Sequence, residues 1–404
     1  MLGQKLGKKF GKIFSQKTPE VDMKSNNETL TPVEIEQLIN ESLSHYVTDN
    51  FPQGVLAVCQ QLTITQDHNK AKKPKKITIN LVMPFVCQGE LDLLAQTLTQ
   101  SLVCPVSINV ELAIKPVRQF TLNKTQNGTE QASPAQGKIA NIIAIASGKG
   151  GVGKSTTTVN LAYALMAEGA SVGILDADIY GPSIPSMLGI KNEKPSSSDG
   201  KLMTPLNAKG LSAMSIGFLV DEADATVWRG PMASTAFNQL LNETDWPELD
   251  YLLIDMPPGT GDIQLTLAQK VPVAAAVIVT TPQDIALIDA VKGIAMFDKV
   301  KVPVLGIVEN MSYHLCENCG HKSHIFGEAG GEHMAQDYQT HLLGQLPLDI
   351  GIRQDADFGE SDIIENSTGE IANHYRKIAR NMSAQLFLQC DNASPLTATV
   401  IVKP

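Results

Sequence analysis

The chain has 404 residues, 43% of them hydrophobic, and a formal net charge of −10. That length supports a large core and two domains, and no run of about 18 apolar residues is present to span a membrane. Six cysteines are too few for a disulfide framework, and no apolar segment follows the N-terminal lysines as a secretion signal requires, so the expected compartment is the reducing cytoplasm. The charge is uneven. Residues 1–17 hold five lysines and no acid, and residues 70–76 (KAKKPKK) hold five more, leaving 22 basic residues against all 42 acids. A body of that sign is a poor partner for phosphate backbones, so no nucleic-acid binding is expected.

Residues 1–31 read as a basic flexible tail. The opening MLGQKLGKKFGKIFSQK places Leu2, Leu6, Phe10, Ile13 and Phe14 at roughly helical spacing. Residues 1–17 could therefore make weak contact with a membrane surface, but not a stable insertion. Gly3, Gly7 and Gly11 weaken any such helix, and a disordered tail is the simpler reading.

Residues 32–115 read as a small α/β module. A helix near 32–46 precedes strand-like GVLAVCQQLTIT, and the lysine-rich loop is a solvated hairpin connection before strand-like ITINLVMPFV. A helix over 89–102 and a strand VSINVELAI complete the module. Residues 116–138, rich in Gln, Asn, Thr and Pro, read as a linker. From residue 139 strands alternate with helices. Strands are expected at 141–146, 172–176, 250–255, 273–280 and 303–309, and a helix at 155–168. That order argues for an α/β fold with a doubly wound, mostly parallel sheet over residues 139–385. Residues 386–404 carry no clear signal and are taken as a C-terminal tail.

IIAIASGKGGVGKSTTT is the strongest signal in the chain. It lies between a strand and a helix and carries Gly-x4-Gly-Lys-Ser, a phosphate-binding loop. The loop residues are Gly148, Lys149, Gly150, Gly151, Val152 and Gly153, and Lys154, Ser155 and Thr156 open the helix. Backbone N–H groups freed by the glycines converge on phosphate oxygens, and the helix adds its positive end. Lys154 should reach the β- and γ-phosphates of ATP, and Ser155 should ligate Mg2+. Two strand ends supply carboxylates: Asp176 and Asp178 in GILDADIYGPS, and Asp255 in YLLIDMPPGTGD. Phosphoryl transfer needs such groups near the metal and the attacking water. Asp176 reads more simply as a turn or cap.

HLCENCGHKSH, His314 to His324, places Cys316 and Cys319 among three histidines. A dithiol redox pair is disfavoured, because such pairs open a helix after a first strand and this one follows a late strand. Zinc could draw on Cys316, Cys319, His321 and His324, although both histidines follow Cys319 more closely than in a zinc finger. An iron–sulfur cluster takes four thiolates; one chain offers two here, and two chains offer four.

The extra lysine in KGGVGKST, Lys149, resembles the deviant phosphate loop of the MinD/ParA/nitrogenase-iron-protein class. That resemblance implies an ATP-linked homodimer in which Lys149 contacts the partner's nucleotide. It also implies that Asp178 orients the attacking water, that Asp255 supports Mg2+ from behind its direct ligands, and that Asn310, in GIVENMS, contacts adenine. SGKGGVGKST, LDADIYGPSIPSMLG, WRGPM, IDMPPGTGD, ENMS and CENCG…IFGEAGGE together resemble the Mrp/ApbC branch of iron–sulfur cluster carriers over roughly residues 139–375. The resemblance implies a slow, Mg2+-dependent ATPase. Cys316 and Cys319 of two chains would share a 4Fe–4S cluster, with apo iron–sulfur proteins and cluster-assembly scaffolds as partners. The N-terminal module resembles the small assembly-type domain that often precedes this ATPase. Its Asp-Pro-acid turn and Cys-Pro loop are replaced by TDNFPQG and MPFVCQG, so Cys87 is expected to be a buried structural cysteine. The alternatives are a MinD/ParA-like positioning ATPase at a membrane or nucleoid surface, and a zinc-stabilised scaffold with a vestigial ATPase signature.

Overall fold

The computed structural model describes residues 30–68, 74–117, 138–179, 181–197, 200–219, 230–390 and 399–402. The basic tail over residues 1–17, most of the lysine-rich loop, nearly all of the 116–138 linker, and Trp228 and Arg229 lie outside the described residues. Among the described residues two sheets organise the fold, one of four strands and one of nine.

The smaller sheet belongs to the N-terminal module. Helix α1 (Pro32–His45) starts at a capping box, in which Thr31 accepts from Glu34 N–H while the Glu34 carboxylate accepts from Thr31 N–H. Strands β1 (Gln61–His68) and β2 (Pro74–Met83) are antiparallel; helix α2 (Gln88–Leu102) then crosses over to β3 (Val106–Leu112), parallel to β2. The expected strand over GVLAVCQQLTIT begins only at Gln61. Val55–Ala57 form a tight turn that buries Val55, so the apolar run fills a core pocket instead of a pleat. Ile35, Ile39 and Leu43 of α1, Leu91 and Leu98 of α2, and Ile77, Ile79 and Leu81 of β2 form one core.

The larger sheet alternates with helices: β4 (Ile139–Ala146), α3 (Lys154–Ala167), β5 (Val172–Asp176), α4 (Ile184–Met187), β6 (Leu206–Ala208), β7 (Leu211–Ser215), α5 (Gly230–Asn242), β8 (Leu249–Asp255), α6 (Asp262–Lys270), β9 (Ala275–Thr280), α7 (Asp284–Lys299), β10 (Val304–Leu315), β11 (Lys322–Ser323), α8 (Gly330–Asp337) and β12 (Leu342–Pro347). Helices α9 (Ile350–Phe358), α10 (Asp362–Glu365) and α11 (Glu370–Cys390) follow. The strand order is β11-β10-β9-β4-β8-β5-β7-β6, with β12 also on β10. All pairings except β6/β7 and β10/β11 are parallel. This is the expected doubly wound α/β sheet. Alternate residues of its strands feed opposite faces. Ile143 and Ile145 join α3 and α11 on one face, while Ile142 and Ala144 join α5, α6 and α7 on the other. After β4 the chain winds toward β5, and after β8 it winds the other way to β9. The reversal beside β4 opens a crevice at the strands' C-terminal ends.

The chain end departs from the expected tail. α11 runs past residue 385 to Cys390, because Leu386 packs into the large core while Ala384 and Phe387 pack into the module core. Residues Thr399–Val402 form strand β13, parallel to β1 at the edge of the module sheet. Among the described residues no helix is long and apolar enough to cross a membrane.

Candidate functional site

The phosphate loop joins β4 to α3 at the crevice. Gly148 lies so close to α7 that a Cβ there would sit 2.1 Å from the Asp289 backbone. Gly153 adopts φ +81° as the residue before α3, and a Cβ there would strike the Asn310 amide at 2.2 Å. Gly148 is therefore required for space, and Gly153 for backbone and space alike. Lys149 is half-buried at the loop's start, where its carbonyl accepts from the Ser147 hydroxyl at 2.9 Å.

Lys154, Ser155 and Asp255 meet at one point. Asp255 ends β8 fully buried, directly opposite Asp176 at the end of β5. Its carboxylate lies 2.7 Å from Lys154 Nζ, accepts from Ser155 Oγ at 2.6 Å and accepts from Thr158 Oγ1 at 2.8 Å. Thr158 lies one helical turn after Lys154, so both side chains share the face of α3 turned to β8. Its recurrence four residues after the lysine is the sequence signal that would have placed it.

Asp176 does more than cap a turn. Fully buried, it accepts from Asp178 N–H at 3.0 Å and from the Ser215 hydroxyl at 3.0 Å. Burial, reinforced by the neighbouring Asp255 charge, holds its carboxyl well above the usual aspartate range. It fixes the backbone at Asp178, whose side chain is half-buried at the crevice rim. No local pattern pointed to Ser215, which reaches Asp176 only because β7 pairs with β5.

Asn310 is buried and donates from Nδ2 to the Val152 carbonyl at 2.9 Å. The structure thus brings it to the phosphate loop itself, through a strand that continues past the expected end at residue 309 to Leu315.

The cysteines occupy a separate hairpin. β10 pairs with β11 through His314↔Ser323 and Leu315↔Lys322, and the turn is closed by Cys316 N–H donating to His321 O at 3.0 Å and Gly320 N–H to Cys316 O at 2.8 Å. Cys316 is half-buried and Cys319 exposed. The backbone N–H groups of Cys319 and Asn318, with the Cys319 thiol, hydrogen-bond the Cys316 sulfur and lower its pKa below that of an ordinary thiol. The histidines do not gather around it. His314 Nδ1 lies 3.2 Å from Leu348 O, and His324 Nδ1 lies 3.1 Å from Ser312 O. Among the described residues no three His, Cys, Asp or Glu side chains come together as a metal site. Cys87 lies fully buried in the module core, where burial pushes its thiol well up and makes it unreactive.

Residues 138–383 match the family model described as the ParA-type NUBPL iron-transfer P-loop NTPase. The iron–sulfur cluster carrier protein of Escherichia coli K12 is 53% identical over 352 residues, covering 83% of this chain and 92% of the relative. The mouse iron–sulfur cluster transfer protein NUBPL is 49% identical over 261 residues, covering 64% of this chain and 81% of the relative. A nucleotide-binding protein of Archaeoglobus fulgidus, solved in complex with ADP, superposes with a TM-score of 0.50 at 42% identity, over 55% of this chain and 87% of that one. Motif resemblance, fold and relatives agree: the chain belongs to the NUBPL iron-transfer family of P-loop NTPases, the family of the iron–sulfur cluster carrier proteins.

Proposed function

We propose that the chain binds and slowly hydrolyses Mg-ATP and carries a 4Fe–4S cluster, held by Cys316 and Cys319 of two chains, to apo iron–sulfur proteins. The observation that carries this reading is the hairpin. It offers two adjacent thiols near the surface, one with its pKa lowered by backbone N–H groups, with His314 and His324 turned to backbone carbonyls. A cluster takes four thiolates, so a second copy is the economical source of the other two. The names of the relatives support an iron–sulfur cargo over zinc.

At the nucleotide site Lys154 would leave Asp255 for the β- and γ-phosphates, and Lys149 would cross to the partner's nucleotide. The Ser155 hydroxyl oxygen would ligate Mg2+, with the Asp255 carboxylate holding that hydroxyl from behind. Held there, the ion would supply neutralisation of the phosphate charge. Asp178 would orient the attacking water. Gly148, Gly150, Gly151, Val152, Gly153 and Thr156 would contribute loop and helix N-terminal contacts to the phosphates, and Asn310 would face the base side of the loop. Cluster-assembly scaffolds would load the cargo, and a reducing cytoplasmic setting suits it.

The test is metal and sulfide analysis of protein purified without oxygen, with solution mass. About four iron and four sulfide per dimer, lost in Cys316→Ala, are expected for a shared cluster. One zinc per chain, indifferent to dimer dissociation, would overturn the carrier reading.

A further inference from the structure

The two sites are joined by one strand. Only six positions separate Asn310, on the phosphate loop, from Cys316, on the hairpin, a span of at most about 20 Å. The strand does not run straight. Up to Glu309 it lies in the main sheet between β9 and β12. Met311 then takes a left-handed φ of +55°, pairing with β12 resumes only at Tyr313↔Pro347, and His314 and Leu315 leave to pair with β11. Bulges of this kind re-aim a strand beside a functional site.

The bend is clamped by a carboxylate with no part in the proposed chemistry. Glu309 is 1% exposed. It accepts from the Ser312 hydroxyl at 2.6 Å, from Gln345 Nε2 at 2.9 Å and from Gly331 N–H at the start of α8. It therefore ties both sides of the bend to β12 and α8. Ser312 continues the chain of contacts outward, because its carbonyl meets the His324 ring, which lies just beyond β11. On the inner side, Asn310 grips the Val152 carbonyl. That C=O and the Gly153 N–H belong to one planar peptide unit. When Gly153 N–H turns to a phosphate oxygen, the Val152 carbonyl must turn with it, and Asn310 feels the rotation.

We infer that Glu309 is a positioning residue that couples the sites: it holds the Met311 bend so that the orientation of the Val152–Gly153 peptide, read by Asn310, sets the geometry of the Cys316–Cys319 hairpin. This coupling rests on the reading of residues 148–156 as a nucleotide site. In a bent strand clamped on both sides, a shift at Asn310 is passed to the hairpin; without the clamp the bend at Met311 absorbs it.

The experiment uses the full chain, reduced and freed of metal by chelation. Alkylation of each cysteine by iodoacetamide is followed by mass spectrometry with and without Mg-ADP or Mg-ATP, beside direct measurement of nucleotide affinity and solution mass. In the unaltered chain, bound nucleotide should change labelling of Cys316 and Cys319 by about fivefold, while E309Q and S312A keep affinity within about twofold and lose the change. Buried Cys59 and Cys87 serve as internal references. S312A removes one contact of the clamp and decides the matter should E309Q fail to fold. Nucleotide binding without altered labelling, or variants that keep the full change at the same solution mass, would overturn the coupling alone. No nucleotide binding in the unaltered chain would overturn the coupling and the nucleotide-site reading together.

Discussion

Asp255 shows how one buried carboxylate organises a site. It collects a lysine ammonium and two hydroxyls, and it sits across the sheet from Asp176, whose carboxyl is pushed up by burial and by Asp255 itself. Lys154 is the cation that makes two neighbouring buried acids tolerable. Its side chain is 6% exposed. Removing one partner of a buried ion pair costs about 3–5 kcal/mol, because the remaining charge is left without compensation. Lys154→Ala is therefore expected to destabilise the nucleotide-free chain by that order in urea unfolding, and to abolish ATP binding in a fluorescence titration. Cluster transfer from this variant should fall with it; transfer at the unaltered rate would show that nucleotide and cargo are independent.

At the scale of elements, α3 and α11 carry the module. α3 begins at Lys154 and ends beside Glu168, whose fully buried carboxylate is met by Arg376 Nε at 2.8 Å and Arg380 at 2.6 Å from α11. The other oxygen of that carboxylate accepts from Gly89 N–H at the start of α2, at 2.9 Å. Around it, Asn50 donates to Asn381 at 3.0 Å and Val86 N–H donates to the Ser383 hydroxyl at 3.1 Å. The phosphate-loop helix thus terminates at the contact between module and ATPase. Glu168→Ala leaves two arginines facing a buried surface without their anion. It is expected to cost about 3–5 kcal/mol and to separate a single denaturant transition into two as the module loosens. One unshifted transition would show that the remaining contacts, from Asn381, Ser383, Ala384 and Phe387, hold the module in place.

For the whole molecule, charge argues against a surface-bound positioning ATPase. The net charge is −10, and the only strongly basic segment outside the lysine-rich loop is residues 1–17. The attraction of a basic segment to an anionic surface is screened over about 8 Å at physiological salt, and one weak amphipathic segment anchors little. The full chain is expected to stay in the supernatant with anionic vesicles at physiological salt. Sedimentation with ATP, abolished by deleting residues 1–17, would favour the positioning reading.

The sequence by itself determined the phosphate loop, the carboxylates at the strand ends, the α/β alternation and the cysteine pair. Each is written in consecutive residues whose spacing matches a local geometry: a glycine turn between strand and helix, a strand end, a two-residue gap between thiols. Only the tertiary structure decided what these segments meet. Asp176 became a buried hub because β7 brings Ser215 beside it, and Glu309 a clamp because α8 and β12 bring Gly331 and Gln345. The chain end became part of the fold because two faces of one helix fill two cores at once. Such contacts join residues tens to hundreds of positions apart, and no local periodicity encodes them; they exist only once the sheet has set which strands are neighbours.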